Sequence, residues 1–217
     1  MPKPFTEHEK QLIGERLLEQ GHKQFAAYGL RKTTVEELSA GAGISKGAFY
    51  LFYPSKEALL MDVVEQAEQR FRQEVLAVID LPGPSPQARL VAVLHEAFTL
   101  WKTIPVLQIF TRGDYDRLAR KLPAEQIQEH LQSDRVFVEE LIARCRAAGI
   151  PIQAEAEQLD GLLHAMFFTV LHEDDFGPGG LTAAIHLLLE LIAAFCLGQV
   201  AVPVADQSSE QNHASTN

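Results

Sequence analysis

The chain has little cysteine: two residues among 217, Cys145 and Cys196. They lie far apart and without CxxC spacing, which argues against a disulfide framework and is typical of a reducing compartment. We therefore predict two small apolar core residues. A redox-sensing pair is the less favoured alternative.

Long uninterrupted hydrophobic runs are also missing. Residues 1–14 have no apolar core that would mark a signal peptide. The most apolar run, residues 181–197, is interrupted by His186 and Glu190, so it predicts a buried helix rather than a membrane span. We expect a cytoplasmic protein with no membrane partner.

The common signatures of enzymes and metal sites are absent as well. The sequence has no nucleophile elbow, phosphate-binding glycine loop, metal-spaced His/Glu set or convincing carboxylate pair. The run His172-Glu173-Asp174-Asp175 could hold a metal, but adjacent acids at a helix end are more often solvated. We expect no cofactor, no metal and no enzymatic activity. Catalytic residues scattered along a helical chain would escape this search.

What is present is typical of a globular protein, with 47% hydrophobic and 22% charged residues. The net charge of −10 argues against a protein that coats nucleic acid. The charge is uneven, because residues 1–60 carry eight Lys/Arg against seven Asp/Glu while the remainder carries eleven against twenty-two. A nearly neutral segment on an acidic body fits a site-specific nucleic-acid binder, and equally any acidic cytoplasmic protein.

No segment alternates with the two-residue period of a strand, so we predict an all-α protein of about nine helices. Proline and glycine separate the helices, most clearly in the segment LPGPSP at residues 81–86. Besides two short helices between residues 33 and 53, the predicted helices cover residues 7–28, 55–79, 86–103, 105–120, 124–148, 154–174 and 180–199. Residues 203–217 are polar and predict a disordered tail.

The stretch Thr33–Leu60, TTVEELSAGAGISKGAFYLFYPSKEALL, predicts two short helices across a glycine turn and the start of a longer helix. The first short helix has a capping box in either of two registers, Thr33 with Glu36 or Thr34 with Glu37. This pattern is that of a helix-turn-helix, which places its second helix in the major groove of DNA.

Two lysines stand where helices are expected to begin. Ser45 can cap the second short helix, and Lys46 and Lys56 then fall in the first turns of two helices. A cation is disfavoured there by roughly 0.3–1 kcal/mol because the helix dipole is already positive. No acid lies between Glu37 and Glu57. Helix N-termini with a lysine suit DNA phosphates, and the alternative is that both lysines are simply solvated.

The sequences FAAYGLRKTTVEELSAGAG and GISKGAFYLFYPSKEALL resemble the DNA-binding domain of the TetR family of bacterial transcriptional regulators, over about residues 7–64. The resemblance implies a three-helix DNA-binding domain in residues 1–53 and a helical regulatory and dimerisation domain in residues 54–202. The residues that it implies at the DNA are Thr34, Ser45, Lys46, Gly47, Tyr50, Tyr53 and Lys56. Where the family often has Tyr/His-Phe, this chain has Phe52-Tyr53, so the Tyr53 phenol could instead be half buried.

The last two predicted helices are apolar on more than one face. One stripe can pack on the chain's own core while the other needs a partner, and the resemblance implies pairing into a four-helix bundle. A homodimer would place two recognition helices about 34–36 Å apart on a near-palindromic operator. The residues expected at the interface are Leu163, Phe167, Val170, Leu181, Ile185, Leu188, Leu189 and Ile192. The alternative is that one larger domain buries both faces.

The resemblance also implies that the C-terminal domain encloses a small ligand, and that this ligand changes the spacing of the two DNA-binding domains in the dimer. The candidates for an apolar pocket with a polar anchor are Phe98, Trp101, Phe110, Arg112, Tyr115, Phe137, His164 and Phe168. Each of them could instead be ordinary core or surface. A small apolar or amphipathic effector would suit such a pocket.

These observations predict a ligand-responsive, sequence-specific transcriptional regulator, a repressor that binds double-stranded DNA as a homodimer. Two alternatives from other classes are a helical enzyme and a helix-turn-helix protein that makes only protein contacts. The sequence favours repression over activation and identifies neither the effector nor the operator.

Overall fold

The computed structural model describes residues 5–108, 118, 120–177 and 180–200, and within these ranges all regular secondary structure is helical. The α-helices of these ranges are α1 Glu7–Lys32, α2 Val35–Ala42, α3 Lys46–Phe49, α4 Lys56–Ile79, α5 Pro86–Thr103, α6 Ala124–Ala147, α7 Ala156–Leu171 and α8 Gly180–Cys196, with a 3₁₀ helix at Glu173–Phe176. The predicted all-α class is confirmed. None of these helices is both long and apolar enough to cross a membrane.

The predicted helix bounds agree well with the structure where both can be compared. Helix α5 begins at Pro86 and ends at Thr103, as predicted, and Ser85 caps it by accepting a hydrogen bond from the Ala88 amide at 3.1 Å. Most of the predicted helix at residues 105–120 and the whole predicted tail at residues 203–217 lie outside the described residues.

Helix α1 begins at a capping box and is interrupted at a glycine. The Glu9 amide donates to the Thr6 hydroxyl at 3.2 Å, while the Glu9 carboxylate accepts from the Thr6 amide at 2.7 Å. Gly29 has a φ of 72°, a left-handed conformation that breaks the regular helix before Lys32. The sequence predicts the helix end at this glycine.

Gly21 lies where α1 packs closely against α4. A Cβ atom at this position would meet Val63 Cγ2 at 2.8 Å and Leu59 Cγ at 3.4 Å. Both of these side chains are fully buried. Close helix packing therefore explains a glycine inside a helix, where it costs about 1 kcal/mol relative to alanine.

We expect Gly21→Ala to lower the free energy of unfolding by roughly 1–3 kcal/mol, because Val63 has to shift in a packed core. Gly14→Ala in the same helix is the matched control, since nothing lies within 4 Å of its Cβ position. That control should be stabilised by up to about 1 kcal/mol. Urea denaturation measures both changes. Unchanged or increased stability of Gly21→Ala would refute the packing account.

The buried apolar residues form two clusters, and helix α4 contributes to both. Leu59, Val63 and Ala67 in its first half pack with α1, α2 and α3, whereas Val75 and Ile79 in its last turns pack with the C-terminal helices. One helix therefore connects the two cores.

Both cysteines lie in the C-terminal core as free thiols. Burial raises the pKa of Cys145 and of Cys196 to about 11 each, so both remain protonated and unreactive near neutral pH. Their predicted role as small apolar core residues is confirmed.

Candidate nucleic-acid interface and ligand cavity

The structure selects one of the two possible capping registers for α2. The Glu37 amide donates to the Thr34 hydroxyl at 3.2 Å, and the Glu37 carboxylate accepts from the Thr34 amide at 3.0 Å. Thr33 is instead fully buried and donates its hydroxyl to the Gly29 carbonyl at 2.8 Å. Thr34 is thus the exposed threonine at the N-terminus of α2.

A left-handed glycine and a serine cap build the turn between α2 and α3. Gly43 has a φ of 76° and ends α2. The Ser45 hydroxyl accepts a hydrogen bond from the Ala48 amide at 3.2 Å and so begins α3. With only four residues, α3 is held mainly by Phe49, whose side chain is 0% exposed in the N-terminal core.

The outer surface of α3 presents Lys46, Gly47 and Tyr50. Lys46 Nζ lies 2.5 Å from Glu36 Oε1, and this hydrogen bond raises the pKa of the lysine and lowers the pKa of the glutamate. Tyr50 is 50% exposed and packs edge-on against Phe49, with ring centroids 5.5 Å apart. The Cβ position of Gly47 meets only Ser45 Oγ, at 4.0 Å. Packing within the chain therefore does not require glycine at this position.

Sequence reasoning missed Leu51, the residue that follows Tyr50. Its side chain is 74% exposed, which is unusual for leucine in a small domain. Its exposure beside Tyr50 places an apolar group on the surface predicted to face DNA, where thymine methyl groups make apolar contacts.

Lys56 is held by backbone carbonyls at the C-terminal end of α1. Its Nζ donates to the Leu30 carbonyl at 2.7 Å and to the Thr33 carbonyl at 2.6 Å. These carbonyls lie at the C-terminal end of α1, where a cation is favoured. The contacts explain why a lysine is tolerated in the first turn of α4. Its predicted role at a phosphate stays a prediction.

The Tyr53 side chain is half buried between α3 and α4. Its ring lies 6.0 Å from that of Phe49, and burial together with the nearby Asp62 carboxylate raises its pKa well above the usual range. This environment corresponds to the alternative of a half-buried core phenol. A phosphate contact by Tyr53 stays a prediction.

The C-terminal helices enclose a largely apolar cavity of about 250 Å³. Five of the predicted pocket residues line it, namely Phe98, Trp101, Phe137, His164 and Phe168. The other three, Phe110, Arg112 and Tyr115, lie outside the described residues. Trp101 meets Phe167 edge-on at a centroid distance of 5.2 Å, so Phe167, predicted at the dimer interface, also lines the cavity.

One wall of the cavity is polar, and sequence reasoning missed most of it. Arg72 Nη2 lies 2.7 Å from Asp134 Oδ1 and 3.7 Å from Glu68 Oε2. His130 Nδ1 lies 3.6 Å from Glu68 Oε2, and its Nε2 lies 3.8 Å from Asp134 Oδ2. Burial, with a smaller contribution from Asp134, raises the pKa of Glu68 to about 8.

The signal for this wall is present in the sequence but weak. Glu68 and Arg72, and His130 and Asp134, are spaced four residues apart and so share a helix face. Such pairs are common on solvated helix surfaces, and only the packing of α4 against α6 brings the two together.

The structure corrects the predicted dimer interface. Five of its residues are buried in the chain's own core and have no surface to offer a partner: Val170, Leu181, Ile185, Leu189 and Ile192. The stripe on α8 faces inward because it packs against α5. The outward face of α8 is nevertheless apolar, with Leu187, Leu188 and Leu191 between 38% and 57% exposed. Leu163 is partly buried and lines the cavity.

Comparisons with known proteins agree with this arrangement. Residues 17–63 match the model of a family described as bacterial regulatory proteins, tetR family. Over 126 residues the chain is 30% identical to the HTH-type transcriptional regulator YuxN of Bacillus subtilis (strain 168), a match that covers 54% of this chain and 43% of that protein. Over 51 residues it is 47% identical to the HTH-type transcriptional regulator YerO of the same organism, covering 24% and 18%.

The fold is also found among solved structures. A TetR-family transcriptional regulator from Mesorhizobium loti MAFF303099 superposes with a TM-score of 0.59 at 16% identity, covering 91% of this chain and 100% of that one. The chain spans less than half the length of the curated relatives named above. The matches to regulators agree with the capped, exposed α3: residues 17–63 of this chain are similar to the TetR family of bacterial regulatory proteins.

Proposed function

We propose that the chain is a ligand-responsive, sequence-specific transcriptional regulator that represses as a homodimer on a near-palindromic operator. The observation that carries the proposal is α3, a four-residue helix anchored by buried Phe49 that turns Lys46, Gly47 and Tyr50 outward. Its N-terminal amides and the adjacent ammonium group suit a phosphate, and Tyr50 and Leu51 suit base edges.

In this proposal residues 1–53 read DNA, and residues 54–202 bind an effector and a second copy of the chain. Helix α4 couples them, because it packs in both cores and also contributes Glu68 and Arg72 to the cavity wall. A ligand that spreads the cavity would move α4 and thereby change the spacing of the two recognition helices.

In this proposal the chain catalyses no reaction and binds DNA in the cytoplasm. It is supported by the matched relatives, which are transcriptional regulators. The effector class that suits the cavity is small and apolar, with a polar group to meet the Glu68–Asp134 wall.

Selection of bound duplexes from a random DNA pool at physiological salt tests this function. We expect enrichment of one sequence with two half-sites whose centres are about 34–36 Å apart along the helix. A module that uses its helix-turn-helix only for protein contacts would enrich no sequence, and that outcome would refute the proposal.

Gly47→Ala is expected to weaken operator binding about tenfold, or roughly 1.4 kcal/mol, because a methyl group would hold the backbone away from DNA. Since its Cβ meets open space within the chain, thermal stability should be unchanged or slightly higher. Gel-shift titration with the selected duplex measures the first effect, and thermal denaturation the second. The control is Gly161→Ala, also in open space but on α7, which should leave DNA affinity unchanged.

A further inference from the structure

Three helices bring nitrogen and oxygen ligands to one point of the cavity wall. One oxygen of Glu68 on α4, one ring nitrogen of His130 and one oxygen of Asp134, both on α6, all lie within 4.8 Å of one another. His164 on α7 adds a ring nitrogen, Nε2, at 4.0 Å from Asp134 Oδ2. All four residues line the cavity.

The protonation of His164 follows from its partner. Its Nδ1 lies 3.0 Å from the Asp160 backbone carbonyl, which can only accept, so Nδ1 carries the hydrogen. In the neutral ring Nε2 then carries a lone pair, and it faces the carboxylate oxygen Asp134 Oδ2. A cation placed between these two electron-rich atoms would be attracted by both of them. Metal-bound histidines in proteins are oriented by the same kind of Nδ1 contact.

Asp134 is oriented in a similar way. Arg72 holds its Oδ1 at 2.7 Å, and Ser133 Oγ holds the same guanidinium through Nη1 at 2.7 Å. The other oxygen, Oδ2, is left to face His130 and His164. Ligands about 2.0–2.2 Å from a tetrahedral zinc ion are roughly 3.3–3.6 Å apart. The ligand atoms of Glu68, His130 and Asp134 lie up to 4.8 Å apart, and His164 is near Asp134 only, so all four side chains would have to draw together around an ion.

We propose that Glu68, His130, Asp134 and His164 form a binding site for a first-row divalent transition metal, with Arg72 and Asp160 orienting its ligands. Mixed imidazole and carboxylate ligands without thiolate suit Zn²⁺ and its neighbours in the series rather than a soft ion. The ligand set joins α4, α6 and α7 at the cavity.

The sequence analysis predicts no metal here, because the ligands come from segments that lie far apart in the chain. His130 and Asp134 share one helix face, but their partners Glu68 and His164 belong to other helices. Only the tertiary structure brings the four residues to one cavity wall.

Titration of the chelator-stripped full chain with Zn²⁺ in a calorimeter tests the site. We expect one high-affinity equivalent for the wild type, and a loss of at least about 100-fold in affinity for His130→Gln, which removes a ligand. Asp160→Asn neutralises the carboxylate whose Oδ1 lies 3.2 Å from His164 Nδ1 but keeps the backbone carbonyl, so it should weaken binding less than His130→Gln does. Co²⁺ should give the visible absorption of a four-coordinate ion in the wild type.

A surface histidine pair supplies the matched control. His186 Nδ1 lies 3.1 Å from His95 Nε2 on an exposed face, where zinc could bind adventitiously. His186→Gln should leave the high-affinity equivalent intact. Loss of binding in His186→Gln with retention in His130→Gln would overturn the proposal, as would a wild type that binds no Zn²⁺. His164→Gln is the second ligand variant, and circular dichroism checks that each variant is folded.

A regulatory effect of the metal rests on the proposed DNA-binding function, whereas the site itself does not. Calorimetry and Co²⁺ absorption report the site without DNA, so failure to bind any operator would leave those results intact. If both hold, operator affinity measured with and without Zn²⁺ should differ at least about fivefold, since ligation ties α4 to α6 and α7. Equal operator affinities would overturn the regulatory effect alone.

Discussion

Replacing Phe49 by alanine is expected to lower the free energy of unfolding by about 3–5 kcal/mol and to abolish operator binding. Phe49 is 0% exposed and is the buried residue of a helix only four residues long. A helix of this length is not stable by itself, so its position depends on this one side chain. Urea denaturation and gel-shift titration measure the two effects.

Leu51→Ala is the matched control for the stability part of this prediction. It truncates a leucine two residues further along the chain, but that side chain is 74% exposed. Its effect on stability should stay within about 0.5 kcal/mol. If Phe49→Ala and Leu51→Ala lose equal stability, or if Phe49→Ala still binds the operator like the wild type, the anchoring role of Phe49 is wrong.

The double substitution Leu187→Asp and Leu191→Asp is expected to convert the proposed homodimer to a monomer and to weaken operator binding at least about 100-fold. These leucines are 57% and 49% exposed on the outward face of α8, and a carboxylate there would be buried unpaired at the proposed interface. A monomer loses the second recognition helix, and such linkage contributes factors of about 10²–10⁴. Sedimentation velocity and gel shift measure both changes.

Leu81→Asp controls for the introduction of charge at an exposed leucine. Leu81 is 58% exposed in the segment between α4 and α5, outside α8, and its replacement should leave both mass and affinity unchanged. A double variant that still sediments as a dimer with full operator affinity would show that copies of the chain pair through another surface.

Leu187 and Leu191 lie on a face of α8 that sequence patterns could not identify as the outward one. Helix α8 has apolar residues on nearly every side, so its inward and outward positions look alike in the sequence, as Ile185 and Leu188 illustrate. Packing against α5 buries Ile185 and Leu189, and this leaves Leu187, Leu188 and Leu191 outside. Periodicity identifies a helix with two apolar faces, but the choice between them is made by the rest of the fold.

The capping register of α2 shows the same limit at short range. Thr33 with Glu36 and Thr34 with Glu37 satisfy the capping pattern equally well in sequence. The structure decides for Thr34 because Thr33 is buried against the Gly29 carbonyl, which frees Glu36 to pair with Lys46. That choice depends on the path of the backbone after the break at Gly29, and a four-residue capping motif carries no information about that path.

The amino-acid sequence by itself determined the helices and their ends, because caps, prolines and glycines act within about four residues of the backbone that they control. Ser45, Ser55 and Ser85 each cap the helix that the pattern predicts. Only the tertiary structure decided which atoms meet across helices, such as Lys56 with the Leu30 carbonyl or Glu68 with His130. Those contacts arise from the packing of whole helices, which depends on apolar surfaces far apart in the chain.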